Sequence, residues 1–310
     1  MNRECHIIHS YMDQLQLSVL VIEPDVPKAV VQLLHGMSEH KERYVPLMEY
    51  LEGLGYACVI HDHRGHGNSV RGVEDYGYFY ENGAHALVED VNQVNRWIRR
   101  RYRNLPIFLI GHSMGSLIAR VYLQQHDAAL RGLILTGSPS KHWASSYGLI
   151  LAKIMAKVYG DRAEGSWFYR FGNKRLLEHL NHTVDEFAWI AADEETVNEY
   201  EADMRCGFRF TLNGFIGLFT LMKWVYGKYN WHLNQERLPI LFLSGEDDPI
   251  TDGEQKRKKT IEHLKKIGYR DVTDKVYKGM RHEILNETEY MKVYHDIAEQ
   301  LEIWLLKQKK

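Results

Sequence analysis

The sequence predicts an α/β protein, a mostly parallel sheet flanked by helices with an inserted helical cap. Three observations predict it. Short apolar runs alternate with stretches of helical spacing along most of the chain. Several runs are apolar throughout rather than alternating, as strands buried on both faces are. Between residues 138 and 236 the alternation stops, and only helical patterns remain.

The elements follow in order. L-Q-L-S-V-L-V-I (15–22) has strand character and precedes Pro24. K-A-V-V-Q-L-L-H (28–35) is a buried-type strand ending at Gly36. Residues 41–54 carry apolar positions at helical spacing, closed by Gly55. Y-A-C-V-I-H (56–61) is the next strand. Residues 84–102 form an amphipathic helix with Leu87, Val88, Val91, Val94, Trp97 and Ile98 on one side. Strands at 107–110 and 132–136 bracket a helix over 114–126. After the insertion come a strand at 239–244, a helix over 253–267, a short strand near 272–277 and a helix over 287–308. This divides the chain into a core of 1–137 and 237–310 and a helical cap of 138–236.

Composition narrows the function classes. The 310 residues are 45% hydrophobic, enough for a sizeable core, and the net charge is −2 with both signs interspersed. A nucleic-acid partner would usually leave a basic bias, so none is expected. The one basic cluster, Lys256-Arg257-Lys258-Lys259, falls on a predicted helix and reads as a solvated face. The three cysteines, Cys5, Cys58 and Cys206, are odd in number and far apart, which predicts no disulfide framework and a reducing compartment. The N-terminus has no apolar leader region, and no stretch holds 18 uncharged apolar residues. The expectation is a soluble, cytoplasmic protein. There is no G-x-G-x-x-G and no P-loop, so no cofactor is expected.

The chemistry concentrates in I-G-H-S-M-G-S (110–116). G-x-S-x-G is too short to decide anything alone, but here it sits between a predicted strand and a predicted helix. A Cβ at Gly111 or Gly115 would strike neighbouring backbone in so tight a turn. Ser113 would stand at the carboxyl edge of the sheet as a nucleophile. The N–H of Met114, at a helix start, would face an oxygen held beside it. A second donor should follow an earlier strand. Gly36, in H-G-M-S-E-H-K-E-R-Y (35–44), lets the chain turn so that the N–H of Met37 faces the same oxygen.

A serine hydroxyl needs a base, and the base needs an orienting acid. S-G-E-D-D-P-I-T-D follows strand 239–244. Asp248, before Pro249, is the preferred acid, with Asp247 and Asp252 as competitors. His282 lies in K-G-M-R-H-E-I-L-N-E after the last strand. One histidine among 17 means little alone, but the order Ser-Asp-His matches the known hydrolase arrangement.

Four blocks now resemble one family: H-G-M-S-E-H-K-E-R-Y, H-D-H-R-G-H-G-N-S (61–69), G-H-S-M-G-S and G-M-R-H-E-I-L-N-E. The chain resembles the α/β-hydrolases of the monoacylglycerol lipase and lysophospholipase branch, often labelled serine aminopeptidase-like, over nearly its whole length and most weakly in the cap. The resemblance implies an α/β-hydrolase fold, with Ser113, Asp248 and His282 at the catalytic positions and Met37 and Met114 at the oxyanion hole. It also implies that Glu39 and Arg43 contact the glycerol end of a monoacylglycerol; a structural ion pair is the alternative. In H-D-H-R-G-H-G the histidines suggest a metal, but a zinc pattern would need Asp where Gly65 stands, and Arg64 would repel a cation. No metal is expected there. The resemblance implies instead that Asp62 and Arg64 make structural hydrogen bonds.

The expected function is hydrolysis of a small-molecule acyl ester through an acyl-enzyme. The cap is rich in large apolar residues, among them Trp143, Trp167, Phe168, Phe208, Phe210, Phe215, Phe219, Met222 and Trp224. They suit an acyl chain, hence a monoacyl lipid or medium-chain ester, although core packing explains most of them. The same face offers a transient membrane-surface contact. Rival readings are a small-ester carboxylesterase and a proline iminopeptidase-like aminopeptidase. The latter needs cap carboxylates, which the acidic segment 191–203 could supply, but its own nucleophile turn reads G-G-S-W-G. A non-enzymatic ligand binder fits poorly with a complete Ser-Asp-His set, and dehalogenase chemistry would need Asp in place of Ser113. Oligomeric state is not readable.

Overall fold

The computed structural model describes residues 2–142, 144–180, 185–227 and 231–307. Trp143 lies outside them. Eight strands form one sheet in the order β1-β2-β4-β3-β5-β6-β7-β8. They are β1 (Asn2–His9), β2 (Gln16–Glu23), β3 (Ala29–Leu34), β4 (Tyr56–His61), β5 (Ile107–His112), β6 (Gly132–Thr136), β7 (Ile240–Gly245) and β8 (Val272–Tyr277). β1 pairs with β2, and β2 with β4, antiparallel; every other neighbour is parallel.

The central strands are buried at every position because both faces are covered. On β3, Ala29, Val31 and Leu33 join one core, while Val30 and Leu34 join the other. The first core includes helix α1 (Val45–Gly53) and the C-terminal helix α9 (Tyr290–Leu306). The second includes α2 (Gly83–Arg101) and α3 (Met114–His126). Gln32, inside the second layer, donates to Val91 O at 3.2 Å and accepts from Asn95 at 2.9 Å, so its burial leaves its amide satisfied.

Among the described residues between β6 and β7 lie four helices: α4 (Ala144–Tyr159), α5 (Ser166–Leu180), α6 (Glu194–Ala202) and α7 (Leu212–Val225). The basic cluster Lys256–Lys259 sits on α8 (Gly253–Ile267), with Lys258 and Lys259 exposed. Cys5, Cys58 and Cys206 are free thiols. Among the described residues no helix is long and apolar enough to cross a membrane.

β1 is the element that periodicity did not announce. Its side chains are exposed or half-buried along its whole length, and Ile7 is 61% exposed. Such an edge strand shows no clean alternation. Its existence depends on eight register pairs with β2, from Asn2 with Glu23 to His9 with Gln16.

The loop after β4 is held by buried charge. Asp62 accepts from Lys41 N–H at 2.8 Å, Lys41 Nζ at 2.6 Å and Asn68 N–H at 2.8 Å. Arg64, fully buried, donates to Asp90, Asp13, Ser10 and the Phe79 carbonyl. These are the structural hydrogen bonds expected of that loop. His35, His61, His63 and His66 are fully buried around it. The ring nitrogens of His61 and His63 have no hydrogen-bond partner among the described residues.

Burial holds His61 down to about 3 and His66 down to about 4, from an ordinary 6.5. It depresses His35 and His63 too, helped by the neighbouring imidazoles. The unfolded chain takes up protons on these rings below about pH 6.5, and the folded chain does not. Their contribution is therefore intact above that pH and drains as pH falls, by up to about 1.4 kcal/mol per pH unit per ring. We expect the melting temperature to fall steadily between about pH 6.5 and 4. A His61→Leu variant should fall less steeply; an unchanged slope would contradict this assignment.

Candidate active site

Ser113 sits between β5 and α3 with φ 50° and ψ −116°, a strained backbone for a non-glycine residue. Its N–H donates to Thr136 O at 2.9 Å, and Ser116 Oγ donates to its carbonyl at 2.6 Å. The flanking glycines are required by contact. A Cβ on Gly111 would lie 2.7 Å from Gly115 O, and one on Gly115 would lie 2.3 Å from Leu34 O.

His282, on the loop after β8, is 2% exposed. Ser113 Oγ lies 2.8 Å from its Nε2, and Asp248 lies 3.0 and 3.1 Å from its Nδ1. The Asp248 carboxylate accepts a hydrogen bond from Nδ1–H, which leaves the Nε2 lone pair to accept the serine hydroxyl. Asp248, just past the end of β7, also accepts from Ile250 N–H at 2.8 Å. The two competing carboxylates do not reach the imidazole. Asp247 is exposed, and Asp252 pairs with Lys256 and Arg175.

Two buried imidazoles then diverge. Burial pushes His112 down to about 3, so it is neutral; its Nδ1 lies 3.0 Å from Thr136 Oγ1. Burial pulls the same way on His282. There the Asp248 carboxylate and its hydrogen bond, with Glu283 and Glu39 beyond, outweigh it and raise the value above 6.5.

The loop after β3 passes directly beside Ser113. A Cβ on Gly36 would stand 3.2 Å from Ser113 Cβ and 3.1 Å from the His112 ring. This brings Met37, half-buried, to the serine's side. Met114 is buried as the first residue of α3, where its N–H has no intrahelical acceptor. Ser38, at φ 54°, donates N–H to His66 Nε2 at 3.2 Å and holds the turn.

Glu39 and Arg43 are built into the protein's interior. One Glu39 oxygen accepts from Gly36 N–H and, at 2.9 Å, from Tyr44 OH; the other accepts from Arg43 at 3.0 Å. Arg43 also donates a two-pronged pair of 2.6 Å bonds to Glu283, the residue after His282. Burial and the Glu283 charge raise Glu39, with Arg43 opposing them. In Glu283 Arg43 outweighs burial and lowers it. Of the two readings open in the sequence, the geometry displays the ion pair.

Sequence reasoning missed three neighbours of the imidazole. Gly137, at φ 53°, is required because a Cβ would stand 2.8 Å from His282 Cε1. Glu283 was visible only as part of a quoted block. Trp189 comes from the helical insertion and packs its ring 5.3 Å from the His282 ring. No local pattern marks it. The insertion is stitched over the site by Tyr200 OH to Ser38 O at 2.8 Å, Ser38 Oγ to Phe208 O at 2.7 Å and Glu283 N to Ile190 O at 2.8 Å.

His40, Asp203 and Cys206 bring donor atoms within 4.8 Å of one another. His40 already bridges Glu42 and Asp203, and Arg205 pairs with both carboxylates. A cation would have to displace that guanidinium.

Arg43 pairs with two buried carboxylates at once. Arg43→Ala should cost about 3–5 kcal/mol of stability, and Arg43→Lys, which keeps the charge but not the fork, clearly less. Urea unfolding of both variants checks this; losses near zero would show that the cluster is solvated.

A family model described as serine aminopeptidase, S33, matches residues 25–289. The human monoglyceride lipase is 26% identical over 289 residues, covering 90% of this chain and 82% of that one. A monoglyceride lipase homolog of Monkeypox virus is 26% identical over 286 residues, covering 90% of each. Among solved structures, a thermostable carboxyl esterase from Bacillus coagulans in complex with glycerol superposes with a TM-score of 0.89. It is 24% identical and covers 99% of this chain and 100% of its own. That likeness speaks to fold.

Proposed function

The chain belongs to the serine aminopeptidase S33 family of α/β-hydrolases, and we propose that within it the protein hydrolyses monoacyl lipids or medium-chain esters through Ser113, His282 and Asp248. It is a serine ester hydrolase; the finer reading concerns substrate and mechanism. One observation carries the mechanism: Ser113 Oγ, both ring nitrogens of His282 and the Asp248 carboxylate form one hydrogen-bonded line.

His282 Nε2 takes the hydroxyl proton as Ser113 Oγ attacks the ester carbonyl. The N–H groups of Met37 and Met114 receive the oxyanion. Asp248 keeps Nδ1 protonated and stabilises the imidazolium. His282 then protonates the leaving alcohol, and water releases the acid by the same steps. In this reading Glu39 holds Gly36 N–H, and through it the oxyanion loop, rather than touching glycerol.

Residues 138–236 act as the cap over this site. Similarity to monoglyceride lipases over some nine-tenths of the chain supports a monoacyl lipid. The cap's apolar residues divide. Phe168, Phe210 and Phe215 are buried against one another. Tyr147, Ile150, Ile154 and Val158 are exposed along α4, with Trp167 and Phe171 stacked on α5. An exposed face of this kind supports transient contact with a lipid surface. The aminopeptidase alternative loses support, because Glu194, Glu195, Glu199 and Glu201 are exposed and the half-buried Asp193 and Asp203 are engaged, the first by Thr196 and the second by His40 and Arg205. Among the described residues of that segment an ammonium group would find no carboxylate both buried and unengaged.

Initial rates on p-nitrophenyl esters from acetate to palmitate, on 1-monoacylglycerol and on Pro-naphthylamide test the reading. We expect an optimum at medium or long chains with glycerol release. Ser113→Ala should fold and lose at least about 10³-fold in kcat. Acetate preference without action on monoacylglycerol would make it a small-ester carboxylesterase, and faster Pro-naphthylamide cleavage an aminopeptidase. The pH profile is a second check. His282 must be neutral to act and its value is raised, so kcat/KM should fall tenfold per unit below a midpoint above 6.5. A flat profile from about pH 5 to 8 would remove His282 from the scheme.

A further inference from the structure

The segment before α6 lies against the histidine loop in close register. Arg281 donates from one guanidinium nitrogen to Ala188 O at 2.5 Å and Ala191 O at 3.0 Å. Glu283 N–H donates to Ile190 O at 2.8 Å. Glu287 accepts from both sides of the seam, from Arg281 N–H at 2.8 Å and Ala192 N–H at 2.9 Å. Residues on either side of His282 thus grip residues on either side of Trp189. The indole is set against the imidazole as a consequence, 5.3 Å between centroids. A second ring, that of His112, lies 4.8 Å from the imidazole and is tied to Thr136.

Trp189 Nε1–H is shut off from solvent and has no hydrogen-bond partner among the described residues. A buried donor left unmade is costly, and tryptophan normally spends its N–H when buried. Phenylalanine would fill such a wall without that cost. The indole that carries this donor packs against the imidazole that hands a proton to the departing alcohol. The leaving group is therefore the part of the substrate that comes nearest to it.

We propose that Trp189 is a specificity residue whose Nε1–H donates to an acceptor oxygen carried by the leaving alcohol. The matching chemistry is a hydroxyl or phosphate oxygen on the second or third carbon of a glyceryl group. An indole N–H is neutral and offers one bond, so it reads an oxygen acceptor without requiring charge. A plain alkyl leaving group leaves the donor unpaired and is discriminated against. This rests on the ester-hydrolase reading above and adds the means by which the alcohol half is recognised.

The test compares esters sharing one acyl chain: 1-decanoylglycerol, propyl decanoate and 1-decanoyl-glycerophosphocholine. Wild-type kcat/KM should favour one or both oxygen-bearing esters over the propyl ester. Which of the two is preferred tells a glycerol hydroxyl from a phosphate. Trp189→Phe keeps the ring and deletes the donor. It should lower the preference for the oxygen-bearing esters about 3- to 10-fold, their rates falling by more than the propyl ester rate. Equal losses on all three esters would make Trp189 a wall and overturn the proposal. So would an unchanged preference, which means the N–H faces no substrate. Should the variant fail to fold, the wild-type series still decides: no preference for the oxygen-bearing esters overturns the proposal while leaving ester hydrolysis intact. Failure on all three esters, propyl included, would remove the underlying reading instead.

Discussion

Arg43 is the group on which the site's assembly depends. Its guanidinium binds Glu39, which holds the turn after β3, and Glu283, which adjoins His282. It also lies over the Tyr200 ring of the insertion, 4.9 Å from its centroid. Three segments distant in sequence thus meet at one buried cation. Two carboxylates and one guanidinium leave a net negative charge, which is tolerable in the interior only because every oxygen is engaged. The charge acts locally as well, since Glu283 and Glu39 both help raise the His282 value.

Around that cluster the same physics yields opposite outcomes. His112 and His282 are adjacent rings with nearly equal burial, yet one is forced neutral and the other is prepared to take a proton. The difference is Asp248, 3.0 Å from one imidazole only. The four histidines near the loop after β4 follow the His112 pattern. They fill a close-packed space with neutral rings beneath the turn that carries Met37.

Backbone geometry carries the rest. Ser113 at φ 50° turns its side chain toward His282, and the strain is borne by contacts that admit no Cβ at Gly111 or Gly115. The insertion then closes on the loops through hydrogen bonds to the carbonyls of Ser38, Ile190 and Phe208 rather than through apolar packing alone. Those bonds fix the segment 188–191 against the histidine loop, while α4 leaves apolar side chains exposed.

What the sequence determined by itself was local. Runs such as 28–35 and 107–110 announced buried parallel strands because both their faces are covered. Glycines at 111 and 115 announced a turn because only glycine fits there, and the order Ser-Asp-His announced which loops would meet. Strand β1 escaped notice because an edge strand with no buried residue shows no clean alternation of apolar and polar residues, only a partner. The remaining decisions belonged to tertiary structure. The sequence preferred Asp248 to Asp247 and Asp252, but only the path of the loop after β7 brings it to His282. Glu39 and Arg43 read equally well as ligand contacts until Glu283, 240 residues from Arg43, occupies the guanidinium. Trp189 stood in an acidic, unremarkable stretch until the seam with Arg281 and Glu283 set it on the imidazole. Periodicity and turn chemistry act over a few residues and can be read from the chain. Pairing between distant segments depends on how the whole sheet and its insertion close, which no local pattern encodes.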